Sequence, residues 1–259
     1  MNGIIDLSVT QLMLAYVFVA FVLFIVRIRG IKREREILLS SVRMTLQLML
    51  TGYLLLYIFS NPSPLLTLVI IGIMESFAVC TVFIKFKGKL SNGLKRVIAA
   101  SMSIGTISCL LYFLLVVVRI YPWYDPQYFI PIAGMMIGNS MTGISIGVNS
   151  LVESMTVRRA VVEEALMLGA SPQEASRDIV NRAFDAAILP TINSMLGMGI
   201  VFLPGMMTGQ ILSGTIPTTA ITYQIAIMLG ILGAVSSTVL IMLQFGYRTF
   251  FNRQSQLLR

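Results

Sequence analysis

The sequence predicts an all-α, polytopic membrane protein: seven transmembrane helices with a cytoplasmic helix-turn-helix element, in a single domain covering 1–259. Three observations predict it. The chain is 56% hydrophobic and only 12% charged, with a mean hydropathy of +0.86. A soluble domain carries about 25% charged residues, so this chain has too few polar groups to cover its apolar surface in water. Its apolar runs are long, and a helix needs about 20 such residues to cross a bilayer. Its basic residues also alternate in position along the chain.

The runs fall at about 9–29, 37–59, 65–84, 97–120, 131–152, 186–213 and 219–245. They leave no room for a second soluble domain. The first has no basic residue before Arg27 and no small-residue cleavage site, so it reads as a span and not as a removed signal peptide. After it come Arg27, Arg29, Lys32, Arg33 and Arg35. Lys85, Lys87, Lys89, Lys95 and Arg96 follow the third span. Arg158, Arg159, Arg177 and Arg182 follow the fifth, and Arg248, Arg253 and Arg259 the seventh. Every Lys and Arg except Arg43 and Arg119 lies in these four groups. The positive-inside rule then places the N-terminus outside and the C-terminus in the cytoplasm of a cell-membrane protein. The net charge of +8 is a topology signal, and no nucleic-acid partner is needed to explain it. Tyr121, Trp123, Tyr124, Tyr128 and Phe129, between the fourth and fifth spans, suit an aromatic belt at the outer interface.

One charged stretch, about 153–185, interrupts the apolar pattern and offers a folded surface to a soluble partner. Val157, Val161, Ala165 and Leu168 share one helical face. Gly169 supplies a left-handed stop. Ser171 caps the next helix, Pro172 takes its first position, and Glu174 closes a capping box. The expectation is helix, sharp turn, helix. A helix lying on the membrane surface is the plainer reading, but it gives no reason for the capped turn.

Glu163, Glu164 and Ala165 with Leu168-Gly169-Ala170-Ser171, followed by Leu189-Pro190, resemble the EAA loop of ABC-transporter permeases. The Leu-Pro follows the glycine about twenty residues on, against ten to twelve in ordinary importers. Ser41-Val42-Arg43, Gln47-Leu48, Gly52-Tyr53, the stretch Ile130 to Asn139, Leu168 to Pro172, Leu189 to Ile192, Leu203 to Gly209 and Tyr223-Gln224 are together similar to the FetB/YbbM-type permease family. That resemblance implies iron export, with plant relatives linked to aluminium tolerance and to sugar-nucleotide transport. It also implies that Val161, Glu163, Glu164, Ala165, Leu168, Gly169, Ala170, Ser171 and Pro172 dock on an ABC ATPase subunit, and that the permease works as a homodimer in the lipid membrane.

The residues bear on mechanism directly. No G-x-x-x-x-G-K-[ST] phosphate cradle occurs, so ATP and Mg would be bound by the partner chain, and this chain is expected to bind no cofactor and to be no enzyme. Pro190, Pro204 and Gly205 are candidate hinges. The run 186–213, at roughly 42 Å if helical, must tilt, break near Pro204 or leave the bilayer. Glu75 sits deep in the third span, where an ionisable group is costly. Cation ligand, proton carrier and structural partner of Arg43 are its three open readings. Asn139 and Asn193 are the amides placed to join it in a substrate path, with Met135, Met136, Met206 and Met207 as a softer wall. The chain has no histidine, and thioethers favour Cu(I) over iron, so the residues alone do not point to iron. The same methionines also fit a flexible apolar wall. Other classes remain: an exporter of a sugar nucleotide or another organic solute, or a seven-span receptor or channel.

Overall fold

The structure is a computed structural model that describes residues 7–88, 90–252 and 254–258. Lys89, Arg253 and Arg259, which contribute to the charge argument, lie outside the described residues. Its helices are α1 (Val9–Ile28), α2 (Glu34–Ser60), α3 (Pro64–Lys85), α4 (Asn92–Tyr112), α5 (Pro126–Val157), α6 (Arg159–Met167), α7 (Pro172–Gly197), α8 (Gly205–Leu212) and α9 (Pro217–Gly246). A π-helical turn, Phe113–Val118, continues α4, and a 3-10 turn, Tyr247–Phe250, continues α9.

Six helical segments among the described residues are long and apolar enough to cross a membrane: Val9–Ile28, Glu34–Ser60, Pro64–Lys85, Asn92–Val118, Pro126–Val157 and Pro217–Phe250. They match six of the seven expected spans. The remaining one, 186–213, is not a continuous helix: of the three outcomes open to so long a run it takes the break near Pro204, so six continuous spans stand where seven spans were expected. Its first half belongs to α7, which starts far back in the charged segment. Its second half is the short α8. Between them Met198 is extended (φ −70°, ψ 133°), Gly199 has φ +84°, and Pro204 is extended as the N-cap of α8. The cause is local. Proline has no N–H to donate and disfavours helix in the residue before it, and Gly197 and Gly199 are weak helix formers.

The core sits around α5 and α9. Thirty-two residues long, α5 spans about 48 Å at helical rise, more than the roughly 30 Å hydrocarbon thickness. At least one end of α5 therefore reaches beyond the apolar layer, and its C-terminal end leads directly into α6. Small residues let the helices close up, as membrane helix packing requires. A β-carbon at Gly105 of α4 would lie 2.7 Å from the Thr238 Cα of α9, and one at Gly143 of α5 would lie 2.8 Å from the Val235 side chain. No such side chain fits without moving backbone or neighbour.

By contrast, α1 has no buried residue and α2 only Ile58. The two pair with each other, joined by a hydrogen bond between the Tyr16 and Thr45 hydroxyls, and stand at the edge of the bundle.

Candidate transport cavity and docking turn

The break between α7 and α8 opens a cavity of about 280 Å³. Its walls come from α5, the second half of α7, the 198–204 link, α8 and α9. Lining residues include Met135, Asn139 and Thr142 from α5, Pro190, Thr191 and Ser194 from α7, and Met198 and Phe202 from the link. Pro204, Gly205 and Met206 add the start of α8, and Gln224, Met228 and Ile231 add α9. No lining residue is charged.

Each wall is placed by a local rule. Pro190 lies inside α7 and cannot bond the carbonyl of Ala186, while the Ser194 hydroxyl donates to the Pro190 carbonyl at 2.9 Å. The Asn139 amide donates to the Met135 carbonyl at 2.8 Å, and the Thr142 hydroxyl to the Gly138 carbonyl at 3.1 Å. One Asn139 amide proton and the Thr142 hydroxyl proton are thus spent on their own helix, and both side-chain oxygens remain as acceptors. The Gln224 side chain is buried, 6% exposed, and its amide donates only weakly, to the Met198 sulfur at 3.9 Å.

Of the residues expected on the path, the cavity brings together Met135, Asn139 and Met206 with the hinge residues Pro190, Pro204 and Gly205. It does not bring in the others. Met136 is fully buried and packs on α9, where a β-carbon at Gly230 would lie 2.7 Å from its Cε. Met207 is buried, and Asn193 faces outward from α7. Glu75 is buried between α3 and α4 and accepts from the Thr106 hydroxyl at 3.2 Å on each oxygen. The single Thr106 hydroxyl proton is shared between this carboxyl and the Met102 carbonyl. Arg43 is not its partner: the guanidinium lies over the Phe77 ring, 5.5 Å from its centre. Sequence reasoning missed Gln224, Thr191, Ser194 and Met228. The available signal was spacing: Gln224, Met228 and Ile231 recur at i, i+4 and i+7, and Thr191 and Ser194 at i, i+3 directly after Pro190.

The charged segment folds as helix, turn, helix. Gly169 takes φ +92° with nothing within 4 Å of where a β-carbon would sit, and the Ala170 N–H donates to the Ala165 carbonyl at 3.0 Å. Ser171 caps α7: its hydroxyl accepts from the Glu174 N–H at 3.3 Å, and the Glu174 carboxylate accepts from the Ser171 N–H at 2.8 Å. The Ser171 N–H, and then the Ser171 hydroxyl, which donates to the same carboxylate at 2.7 Å, hold the Glu174 carboxyl below the usual range. Arg182 and then Arg158 do the same for Asp178, and the Arg158–Asp178 pair, at 2.7 Å, ties the start of α6 to α7. Arg159 pairs with Glu163 at 2.8 Å.

The face of α6 that packs inward is a different one from the apolar stripe that periodicity marks. Val162 is buried at 1% exposure, with Leu166 partly covered beside it, whereas Val161, Met167 and Leu168 are 63%, 79% and 88% exposed. A core would have swallowed the apolar stripe of Val157, Val161, Ala165 and Leu168. It is instead presented outward at the turn.

Comparison with known proteins supplies the family. The profile described as "Uncharacterised protein family (UPF0014)" matches residues 9–251. A Synechocystis protein named UPF0014 membrane protein slr1647 is 34% identical over 89% of this chain and 88% of its own length. The Escherichia coli protein named probable iron export permease protein FetB is 31% identical over 95% of this chain and 93% of its own. The rice UPF0014 membrane protein STAR2 is 35% identical over 86% and 77% respectively. No solved structure matches the chain. With six membrane-length helices and a family match across nearly its whole length, this chain is a multi-pass membrane protein belonging to the UPF0014 family.

Proposed function

We propose that this chain is the permease half of an ATP-driven ABC transporter that exports iron, the cargo in the name of the Escherichia coli relative, or another metal cation. The observation that carries the reading is the docking turn. Leu168 and Met167 stand exposed at the tip of a rigid, capped helix pair beyond the end of α5. An exposed apolar tip on a rigid element suits insertion into a cleft of a partner. That partner is a separate ATPase chain, which holds the ATP and Mg, and this chain contributes no cofactor site of its own. The termini lie as the basic residues direct, N-terminus outside and C-terminus in the cytoplasm. Two copies of this permease act with two ATPase chains. The nearly uncovered hairpin of α1 and α2 leaves apolar surface for lipid and for that second copy.

Cargo crosses by the cavity at the broken helix. An interrupted helix frees backbone carbonyls where they line a cavity, a recurrent transporter device. Co-purification with the ATPase, followed by cargo-stimulated ATP hydrolysis in lipid, tests the assignment. Leu168→Asp is expected to abolish association while leaving membrane insertion intact. Normal association by that variant sinks the docking assignment. Native mass spectrometry of the active complex is expected to count two copies of this chain, and a stable active complex with one copy refutes the dimer.

A further inference from the structure

We propose that the cavity is a site for a soft monovalent cation of the Cu(I) class, ligated by the thioethers of Met135, Met198, Met206 and Met228. The proposal rests on the reading of this cavity as the transport path and names its cargo class.

Two populations of methionine are present. Met102, Met136, Met155 and Met242 are fully buried in the bundle, none more than 2% exposed, and act as core filler. The four around the cavity come from four different segments and converge on one 280 Å³ space. Met135, Met198 and Met206 are partly exposed and pack at the edge of the core, and Met228 is buried in it at 9% exposure, so the four stand at the boundary between core and cavity. The Met198 sulfur already serves as an acceptor, for the Gln224 amide, so at least this lone pair faces polar company and not hydrocarbon.

Charge decides between hard and soft cargo. A hard divalent or trivalent ion needs several oxygen ligands, carboxylates among them. The cavity offers neutral oxygens but no carboxylate, and a multiply charged ion in a low-dielectric space without counter-charge is strongly disfavoured. Glu75 is engaged elsewhere with Thr106. Among the described residues no group of three His, Cys, Asp or Glu side chains is placed to hold a metal. A single positive charge is far cheaper to desolvate, and thioethers select Cu(I) by softness without needing to be ionised. The oxygen of Gln224 and the hydroxyls of Thr191 and Ser194 complete a neutral shell.

The test is binding of Ag(I), a redox-silent stand-in for Cu(I), to the purified full chain in lipid nanodiscs, in a background with Cys80→Ser and Cys109→Ser so that no thiol competes. One Ag(I) per chain is expected. Met198→Leu with Met206→Leu, close in volume to the native pair, is expected to weaken binding roughly 10-fold or more, the scale on which perturbing a metal site acts, with an unchanged melting temperature. Excess Fe(II) is expected not to displace Ag(I). Unchanged Ag(I) affinity in the double variant, no Ag(I) bound, or equal competition by Fe(II) overturns the proposal. The measurement needs no ATPase, so a failure of the docking assignment does not decide it. Conversely, ATP hydrolysis stimulated by Fe(II) or an organic solute, with no Ag(I) bound, preserves the transporter and removes the soft site.

Discussion

The fifth helix and the α7–α8 segment have similar sequences and opposite outcomes. Both are apolar, both are rich in glycine, and both contain proline. Yet α5 runs unbroken for 32 residues with Pro131 inside it, while the other breaks at 198–204. Pro190 inside α7 does not break that helix either. Proline alone therefore does not decide. What differs is enclosure. Along α5, residues from Phe129 to Met155 are buried at helical spacing, so tertiary contacts hold the helix against its weak formers. The link between α7 and α8 is open, with Ile200 91% and Val201 80% exposed, and there local preference wins. The continuous helix makes the frame, and the broken one makes the cavity against it.

The largest expected effect breaks the frame. Gly143→Leu puts a side chain where a single β-carbon already lies 2.8 Å from Val235. Overpacking of this kind costs about 1–3 kcal/mol or more, so thermal unfolding in detergent is expected to shift strongly downward. Gly205→Ala, at the start of α8 where nothing lies within 4 Å, is expected to change melting little. Equal stability in both variants means that enclosure is not what separates the two segments.

Next in size is the turn before α7. Gly169→Val forces a β-branched residue to φ +92°, at a cost of roughly 1–2 kcal/mol by left-handed strain. The expected result is normal insertion with reduced transport-linked ATP hydrolysis. Full transport by this variant removes the turn from coupling. Impermeant-reagent labelling sharpens the comparison further. In a cysteine-free background, single cysteines at Asn61 and Thr215 are expected to react from outside, and one at Gln173 only from inside. Lys89, the natural second inside position, lies outside the described residues. A reversal at either face means that α7 and α8 together do not cross the bilayer.

Six spans were legible because each combines length with apolarity, and the capped turn was legible because Gly169, Ser171, Pro172 and Glu174 carry local chemistry that survives any tertiary context. The site was legible only in part. Which side of α5 meets the cavity depends on where α7 stops, and that stop arises from Gly197, Gly199 and Pro204 acting without tertiary cover. Met135 and Met136 are neighbours in sequence, yet one lines the cavity and the other packs on Gly230, a choice set by about 100° of helix rotation. Likewise Val162 packs inward while Val161, on the face that periodicity marks, stays exposed, because the Arg158–Asp178 pair and the α6–α7 packing fix which face of so short a helix turns inward. Glu75 was singled out for its charge, and charge marks cost without saying which neighbour relieves it. Here the neighbour is Thr106, away from the cavity, so Glu75→Gln is expected to leave cargo stimulation of ATP hydrolysis unaltered. A selective loss would return Glu75 to the path.

The smallest expected effect concerns the cap at the start of α7. Glu174 is held below its ordinary range by hydrogen bonds from the Ser171 backbone and hydroxyl, and Asp178 by Arg182 and Arg158. A carboxylate whose folded pKa is depressed stabilises the fold at every pH above its unfolded value, about 4.3 for glutamate and 3.9 for aspartate. That contribution fades as pH falls from there through the lower folded value. Both groups are solvent-exposed, so the effect is local: α7 is expected to fray at its N-terminus below about pH 4, while the α5–α9 frame keeps its protection. Amide hydrogen exchange reads both regions in one experiment. Glu174→Gln keeps an acceptor at the same position and removes the titration, so its exchange near Ser171 is expected to be slightly faster at neutral pH and less sensitive to acid than in the parent. If acid instead loosens α5 and α9 as early as the turn, the α6–α7 turn and the frame unfold as one unit, and the contrast between an enclosed helix and an open, locally determined segment fails at its other end.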